Sequence, residues 1–279
     1  ISGADDMAVV APRSTPFPLP PHRLSAVDEV MRAAQPRHHF PMATARAPVP
    51  LATRNACCAS ARCHLCPIDA KFTAYNGMAD VLDHPAITFV LDAEVREILH
   101  AGGVAQGVRY RRDGEDHTLR APTVVLGANA IQSPAILLRS GLDHPLTGRG
   151  LTEQVGAEFE VTLDGLDNFG GSTVTTGINF SLYDGPHRAT LGAAMLTFEN
   201  RLKYGVRPEF GRWRQYVPVV VNVEDEPLHE NRVTLDGDGT ASIEYRGPSA
   251  YAHRGLARVR EVLPEVLRPL PVETIRYRG

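Results

Sequence analysis

Between residues 155 and 244, short β-forming runs follow one another with almost no helical pattern between them: EFEVTL, STVTTGINFSLY, ATLGAAMLTF, YVPVVVNVE, NRVTLD and ASIEY. Parallel neighbours need a crossover of a dozen or more residues, usually a helix, whereas antiparallel neighbours need only turns. The region therefore predicts a mainly antiparallel sheet rather than βαβ units. Within it, the DGDG of TLDGDGTASIEY joins two alternating runs and predicts a hairpin. A last helix is expected from about Ser249, using Leu256, Val259, Leu263 and Leu267, with Pro264 kinking or dividing it.

The other end of the chain is organised by proline. Nine of the 22 prolines lie in the first 50 residues, many in PRSTPFPLPPH. Fixed φ angles and missing N–H groups exclude a long helix or a central strand there, so an extended arm is expected. One helix interrupts it: Ser25 caps, Val27, Val30, Met31 and Ala34 fall at i, i+3, i+4 and i+7, and Pro36 ends the run. RHHF, residues 37–40, reads as a polar loop. From Ile87 onward, AITFVLDAEVREIL, GVRYRR and HTLRAPTVVL predict a β-meander. Its third strand leads through Gly127 into GANAIQSPAILLRSGL, where Ser133 suits an N-cap, Pro134 the first turn and Gly141 the C-terminal cap. A glycine beside a helix N-terminus can admit a cofactor, and it can equally be an ordinary turn.

Charge and hydropathy remove two classes of partner. The 29 basic and 32 acidic residues give a net charge of −3 and form no long runs, which leaves no electrostatic footprint for nucleic acid. The longest apolar stretches, VVLGANAI and VPVVVNV, fall short of the roughly 20 residues that a bilayer span requires. The opening ISGADDMAVV has no initiator Met and no signal-peptide pattern; it is expected to be a cut end, with a cytoplasmic location favoured.

All four cysteines, Cys57, Cys58, Cys63 and Cys66, lie within one short loop. Disulfides suit an exported chain, but an adjacent pair is strained and one loop is a poor framework for 279 residues. Zinc generally takes two ligand pairs, and only Cys63 and Cys66 have that spacing. Cys57, Cys63 and Cys66 are candidates for an iron–sulfur cluster, since Cys66-Pro67 matches the end of bacterial cluster motifs. Buried or reactive thiols are the fourth reading.

GANAIQSPAILLRSGL resembles the second signature of the glucose-methanol-choline (GMC) oxidoreductases, flavoenzymes that oxidise alcohols. CPIDAKFT, the AEVREIL to GVAQGVRYRRDGEDHTLRA strand pair, GRGLTEQVG and DEPLHENRVTLDGDG follow in the family's order, so the likeness covers roughly residues 12–279. It implies FAD as cofactor, with Val95 at its adenine end and Gly127, Ala128 and Asn129 beside the flavin. The fold it implies is α+β: residues 57–155 carry the Cys loop and part of an FAD-binding domain with a β-meander. Residues 156–279 form an antiparallel-sheet substrate domain with flanking helices, to which the 1–56 arm belongs. The sheet would floor the substrate pocket.

The family's G-x-G-x-x-G fingerprint between a strand and a helix is lacking, and AGGVAQG has neither its pattern nor its context. The family's catalytic His is expected beyond the chain end; His229 and His253 read as surface or structural residues. The implied function is oxidation of an alcohol group of a sugar, aminoglycoside or polyol, with an external electron acceptor. The N- and C-terminal parts of the same enzyme are the expected partners, and the isolated chain is expected to be inactive. The Cys loop resembles that of the sugar dehydrogenase branch, with one spacing shorter by a residue, and implies a cluster passing electrons from the flavin. The rival reading is an iron–sulfur or metal-binding electron-transfer module without flavin chemistry.

Overall fold

The computed structural model describes residues 1–60, 65–200 and 212–278. In chain order its elements are helix α1 (Ala26–Ala34), strand β1 (His39–Pro41), short helices α2 (Ala74–Gly77) and α3 (Ala79–Leu82), and strands β2 (Glu94–Ala101), β3 (Val104–Arg112) and β4 (Glu115–Arg120). Helix α4 (Asn129–Arg139) and strands β5 (Val155–Leu163), β6 (Thr175–Asn179), β7 (Ala194–Glu199) and β8 (Tyr216–Val223) follow. Strands β9 (Arg232–Leu235) and β10 (Ala241–Glu244), helix α5 (Ala250–Val266) and strand β11 (Val272–Tyr277) complete the fold. The chain forms two compact units, one of residues 1–84, 154–224 and 250–279, the other of residues 85–153 and 225–249.

The first unit is built on a six-stranded sheet in the order β1-β6-β7-β8-β5-β11, antiparallel throughout. Strand β8 lies inside it because nearly every residue is apolar; Val217, Val219, Val221 and Val223 are all buried. Pro218 is tolerated there because it stands one residue beyond the last β7 pair, Phe198 with Val219, so the residue that cannot donate falls where that ladder has ended. Helix α5 brings Leu256, Val259 and Leu263 into one core with these valines, Leu196 and Phe198. Each such side chain contributes about 1.5–3 kcal/mol by leaving water. Pro264 lies inside α5 without dividing it.

Helix α1 starts as its pattern predicts: Ser25 and Asp28 form a capping box, and Val27 and Met31 are fully buried. RHHF is a polar loop only in its first half, where Arg37 and His38 lie in an exposed turn. His39 and Phe40 form β1 and are buried, because the ring of His39 has partners at both nitrogens. Its Nε2 donates to Asp28 Oδ1 (2.9 Å), and Asn179 Nδ2 lies 3.4 Å from Nδ1. Phe198 packs edge-on against the ring at 4.8 Å. A buried imidazole is tolerated only when hydrogen-bonded in this way.

The proline-rich arm is fastened by polar contacts. Ser2 exchanges backbone bonds with Thr44 (2.9 and 3.1 Å), and buried His22 bridges Ser172 Oγ (3.0 Å) and the Arg46 carbonyl (3.1 Å). Burial lowers the pKa of His22, and the Arg46 charge adds to that. The unfolded chain, with a His near pKa ~6.5, then binds the extra proton. Stability should be full above that value, fall as pH drops through it, and level off below the folded pKa. Urea unfolding from pH 8 to pH 5 measures this; His22→Gln should flatten the acid limb, and an unchanged limb would remove His22 as its cause.

In the second unit, β2, β3 and β4 form the expected antiparallel meander, with β2 at one edge. Strands β9 and β10 form the DGDG hairpin, closed by the Asp236 N–H to the Thr240 carbonyl (2.9 Å). That hairpin groups with residues 85–153. Helix α4 packs on β2, β9 and β10. The first and third predicted strands are shorter than their sequence suggests: residues 86–91 and 123–126 are irregular, with Phe89 and Leu91 exposed and Val125 91% exposed. Their β-prone composition finds no ladder partner among the described residues, and a strand needs one.

Candidate functional site

Helix α4 begins five residues earlier than its sequence suggests, at Asn129 rather than after Ser133. Asn129 adopts φ 79°, which asparagine tolerates better than most residues, and its Oδ1 accepts from the N–H groups of Ile131 (2.9 Å) and Gln132 (3.0 Å). It thus does the work of an N-cap side chain. Ser133, inside the helix, accepts the Ala128 N–H at 3.1 Å. The helix ends as expected, with Gly141 at φ 67°.

The C-terminal end of α4 is pinned to β2. Arg139 Nε donates to the Arg96 carbonyl (2.8 Å), the Ile98 N–H donates to Ser140 Oγ (2.8 Å), and His100 Nε2 meets the Ser140 carbonyl (2.8 Å). Val95 therefore sits near the last turn of α4, half-buried at the start of an edge strand. Gly127 precedes the first turn. Eleven helical residues span roughly 16 Å, so the second unit holds Val95 and Gly127 at opposite ends of one helix. Only an extended ligand would reach both.

The surroundings of Gly127 fit such a ligand. A Cβ built on Gly127 would meet nothing within 4 Å, and Gly127 and Asn129 are exposed. Asn129 Oδ1 occupies the N–H groups of Ile131 and Gln132, so the groups left to face a ligand are those of Gly127, Asn129 and Ala130.

The first unit carries a recess of about 190 Å³ beside β7 and β8, lined by Gln154, Tyr183, Arg188, Met195, Asn222 and Glu224. Glu224 is its most constrained group. Arg188 clasps both carboxylate oxygens (2.7 and 3.3 Å), and Tyr251 donates to Oε2 (3.0 Å). The Arg188 hydrogen bonds hold the carboxyl below its usual range, while burial and the carboxylate push the Tyr251 hydroxyl up. The charges of Arg188 and Glu224 thus satisfy each other. The recess is walled mostly by apolar surface, with a few polar groups and no surplus charge, which suits a neutral molecule. No motif announced this group, whose members are 36 and 27 residues apart along the chain.

Cys57, Cys58 and Cys66 line one small cavity of the first unit, together with Arg46 and Lys71. Cys63 lies outside the described residues. Among the described residues, no group of three or more His, Cys, Asp or Glu side chains is placed to hold a metal ion, and the iron–sulfur reading gains no support. His229 and His253 are exposed. Among the described residues, no helix is long and apolar enough to cross a membrane.

Residues 22–159 match the pattern that defines the GMC oxidoreductases. An uncharacterized GMC-type oxidoreductase of Mycobacterium tuberculosis is 38% identical over 110 residues, which cover 38% of this chain and 17% of that protein. The 6'''-hydroxyparomomycin C oxidase of Streptomyces lividus is 33% identical over 165 residues, 52% of this chain and 30% of that oxidase. The matched stretches thus span less than a third of these relatives' own length. Among solved structures, pyridoxine 4-oxidase from Mesorbium loti superposes with a TM-score of 0.52 at 13% identity, covering 90% of this chain and 53% of that one, a likeness of fold.

Proposed function

Because this chain belongs to the GMC oxidoreductases, we propose that the enzyme it forms part of uses FAD to oxidise an alcohol group of a sugar, an aminoglycoside or another polyol. The observation that carries the cofactor assignment is the open corner at Gly127, inside the stretch that matches the family. In this reading Val95 faces the adenine end of the dinucleotide through its backbone, and Gly127, Ala128 and Asn129 face the flavin end. The length of α4 between them agrees with an extended ligand. When bound, FAD supplies the acceptor for the hydride that leaves the alcohol carbon.

The residues of this chain orient and bind. Gly127 lets the cofactor approach the backbone closely, and the start of α4 presents N–H groups and a partial positive charge to it. In the first unit, the recess beside β7 and β8 is the candidate substrate wall. Asn222 and Gln154 offer amide groups to hydroxyls, Tyr183 and Met195 offer apolar surface, and the Arg188–Glu224 pair fixes one edge. A relative named for oxidising 6'''-hydroxyparomomycin C supports a polyhydroxylated substrate. Proton removal from the alcohol is assigned to no residue of this chain, and an external acceptor takes the electrons onward.

Flavin measurement tests the reading. Protein expressed from the complete reading frame should carry about one FAD per chain, and sugar or polyol should bleach its visible absorbance. A correctly folded, colourless product that takes up no FAD would overturn the proposal.

A further inference from the structure

The recess beside β7 and β8 lies wholly within the first unit, and its polar groups are in two different states. Asn222 is uncommitted. It pairs across the sheet with Met195 on one side and Gly156 on the other, and a Cβ on Gly156 would meet nothing within 4 Å. Glu224 is the opposite case. Its Oε2 takes the Arg188 Nε–H (3.3 Å), the Tyr251 hydroxyl (3.0 Å) and the Ala193 N–H (3.3 Å), and its Oε1 takes an Arg188 Nη2–H (2.7 Å). An ionised carboxylate offers about four acceptor positions, so Glu224 has none to spare. The remaining end of the same guanidinium, Nη1, lies 3.8 Å from Asp184.

This arrangement decides what charge a ligand can carry. An open carboxylate at the edge of a recess attracts an ammonium group. Here the acceptor positions are filled, and the charge that a cation meets beside them is the positive one of Arg188. A cationic ring gives up water without gaining a counter-charge, whereas a neutral ring gives up only the hydration of its hydroxyls, for which Asn222 and Gln154 offer amides in return. Tyr183, Met195 and Val223 present apolar surface that suits the carbon face of such a ring. At about 190 Å³ the recess lies below the ~300 Å³ at which drug-sized sites begin, which leaves room for one ring.

We propose that Arg188 is the specificity-determining residue of this recess: by occupying Glu224 it selects a neutral sugar ring and rejects an aminated one. The inference rests on the recess being the substrate wall of the proposed oxidation. It narrows that reading, from a sugar, aminoglycoside or polyol to a neutral monosaccharide unit at the ring that enters.

Paired sugars test it: glucose beside glucosamine and galactose beside galactosamine, with the amines protonated, offered to protein from the complete reading frame. The unaltered protein should favour the neutral member at least about ten-fold, in kcat/KM and in the Kd from equilibrium dialysis. Arg188→Met keeps an apolar stem, opens the carboxylate and should move that ratio about ten-fold or more toward the amine, chiefly through KM. About 1 M salt, where the Debye length is ~3 Å, should shrink the change. Arg188→Lys retains the positive charge and should keep most of the preference. Arg188→Met combined with Glu224→Gln is neutral again and should restore it, which a merely structural loss at Arg188 would not allow. A ratio indifferent to Arg188→Met, a preference for the amine in the unaltered protein, or failure to bind either neutral sugar overturns the inference. Bound flavin and oxidation of some other alcohol would survive each of those results. A protein without flavin would instead overturn the oxidation, and the Kd ratios alone would then decide whether Arg188 selects.

Discussion

Replacing Gly127 with valine is expected to strip the protein of flavin while leaving its folding unchanged. The two halves of that expectation come from one fact: a side chain at this position meets nothing within 4 Å, so the polypeptide itself has no reason to exclude one. A glycine there leaves the backbone open to close approach by a ligand. If that ligand is FAD, three extra carbons fill the path by which it approaches the backbone, and occupancy should fall by ten-fold or more, about 1.4 kcal/mol or beyond. The measurement is bound flavin per chain in protein from the complete reading frame, beside a urea unfolding curve. Full flavin occupancy in Gly127→Val would remove the corner from the cofactor site. Loss of both flavin and stability would show that the space is used by the protein.

Gly177→Ala is expected to produce the opposite pattern, a large loss of stability. A Cβ on Gly177 would land on the carboxylate of Asp28 and 2.6 Å from His39 Nε2, two groups that are fully buried and bonded to each other. Neither can retreat. Asp28 Oδ2 is held by the Ser25 hydroxyl at 2.7 Å, and the His39 ring is packed against Phe198. Forcing the pair apart strands a buried carboxylate, which costs about 3–5 kcal/mol, and overpacking adds to that. The midpoint of urea unfolding should move far to lower denaturant. Asp28→Ala, which removes one partner and makes the space, should be destabilising by a similar amount. If Gly177→Ala alone were tolerated within about 0.5 kcal/mol, the size of an ordinary surface change, the packing around the pair would be looser than described.

The sequence makes the major elements legible where local signals are strong. Ser25 and Asp28 cap α1, the DGDG hairpin closes, α5 begins next to Ser249, and the runs after residue 155 pair as an antiparallel sheet. The errors share a cause. ITFVL and TVVL have strand composition, but a strand exists only when a neighbour completes its ladder, and propensity says nothing about that neighbour. The start of α4 is hidden in the sequence because Ser133 and Pro134 are typical first-turn residues, whereas the cap comes from Asn129, whose left-handed φ no pattern reveals. RHHF read as polar because two histidines are polar in isolation, and His39 becomes a core residue only through Asp28 and Asn179.

Sequence alone determined what is local or repeated: the alternation that makes sheet, the prolines that forbid helix in the arm, the caps, and the signature that resembles the GMC oxidoreductases. Tertiary structure decided which polar groups meet. Arg188, Glu224 and Tyr251, or Ser2 and Thr44, come together across tens of residues because the sheet and its helices bring them there. The reason is physical: hydrophobic periodicity acts along the chain and is written residue by residue, whereas a hydrogen bond or ion pair is worth its full energy only after folding has removed both partners from water.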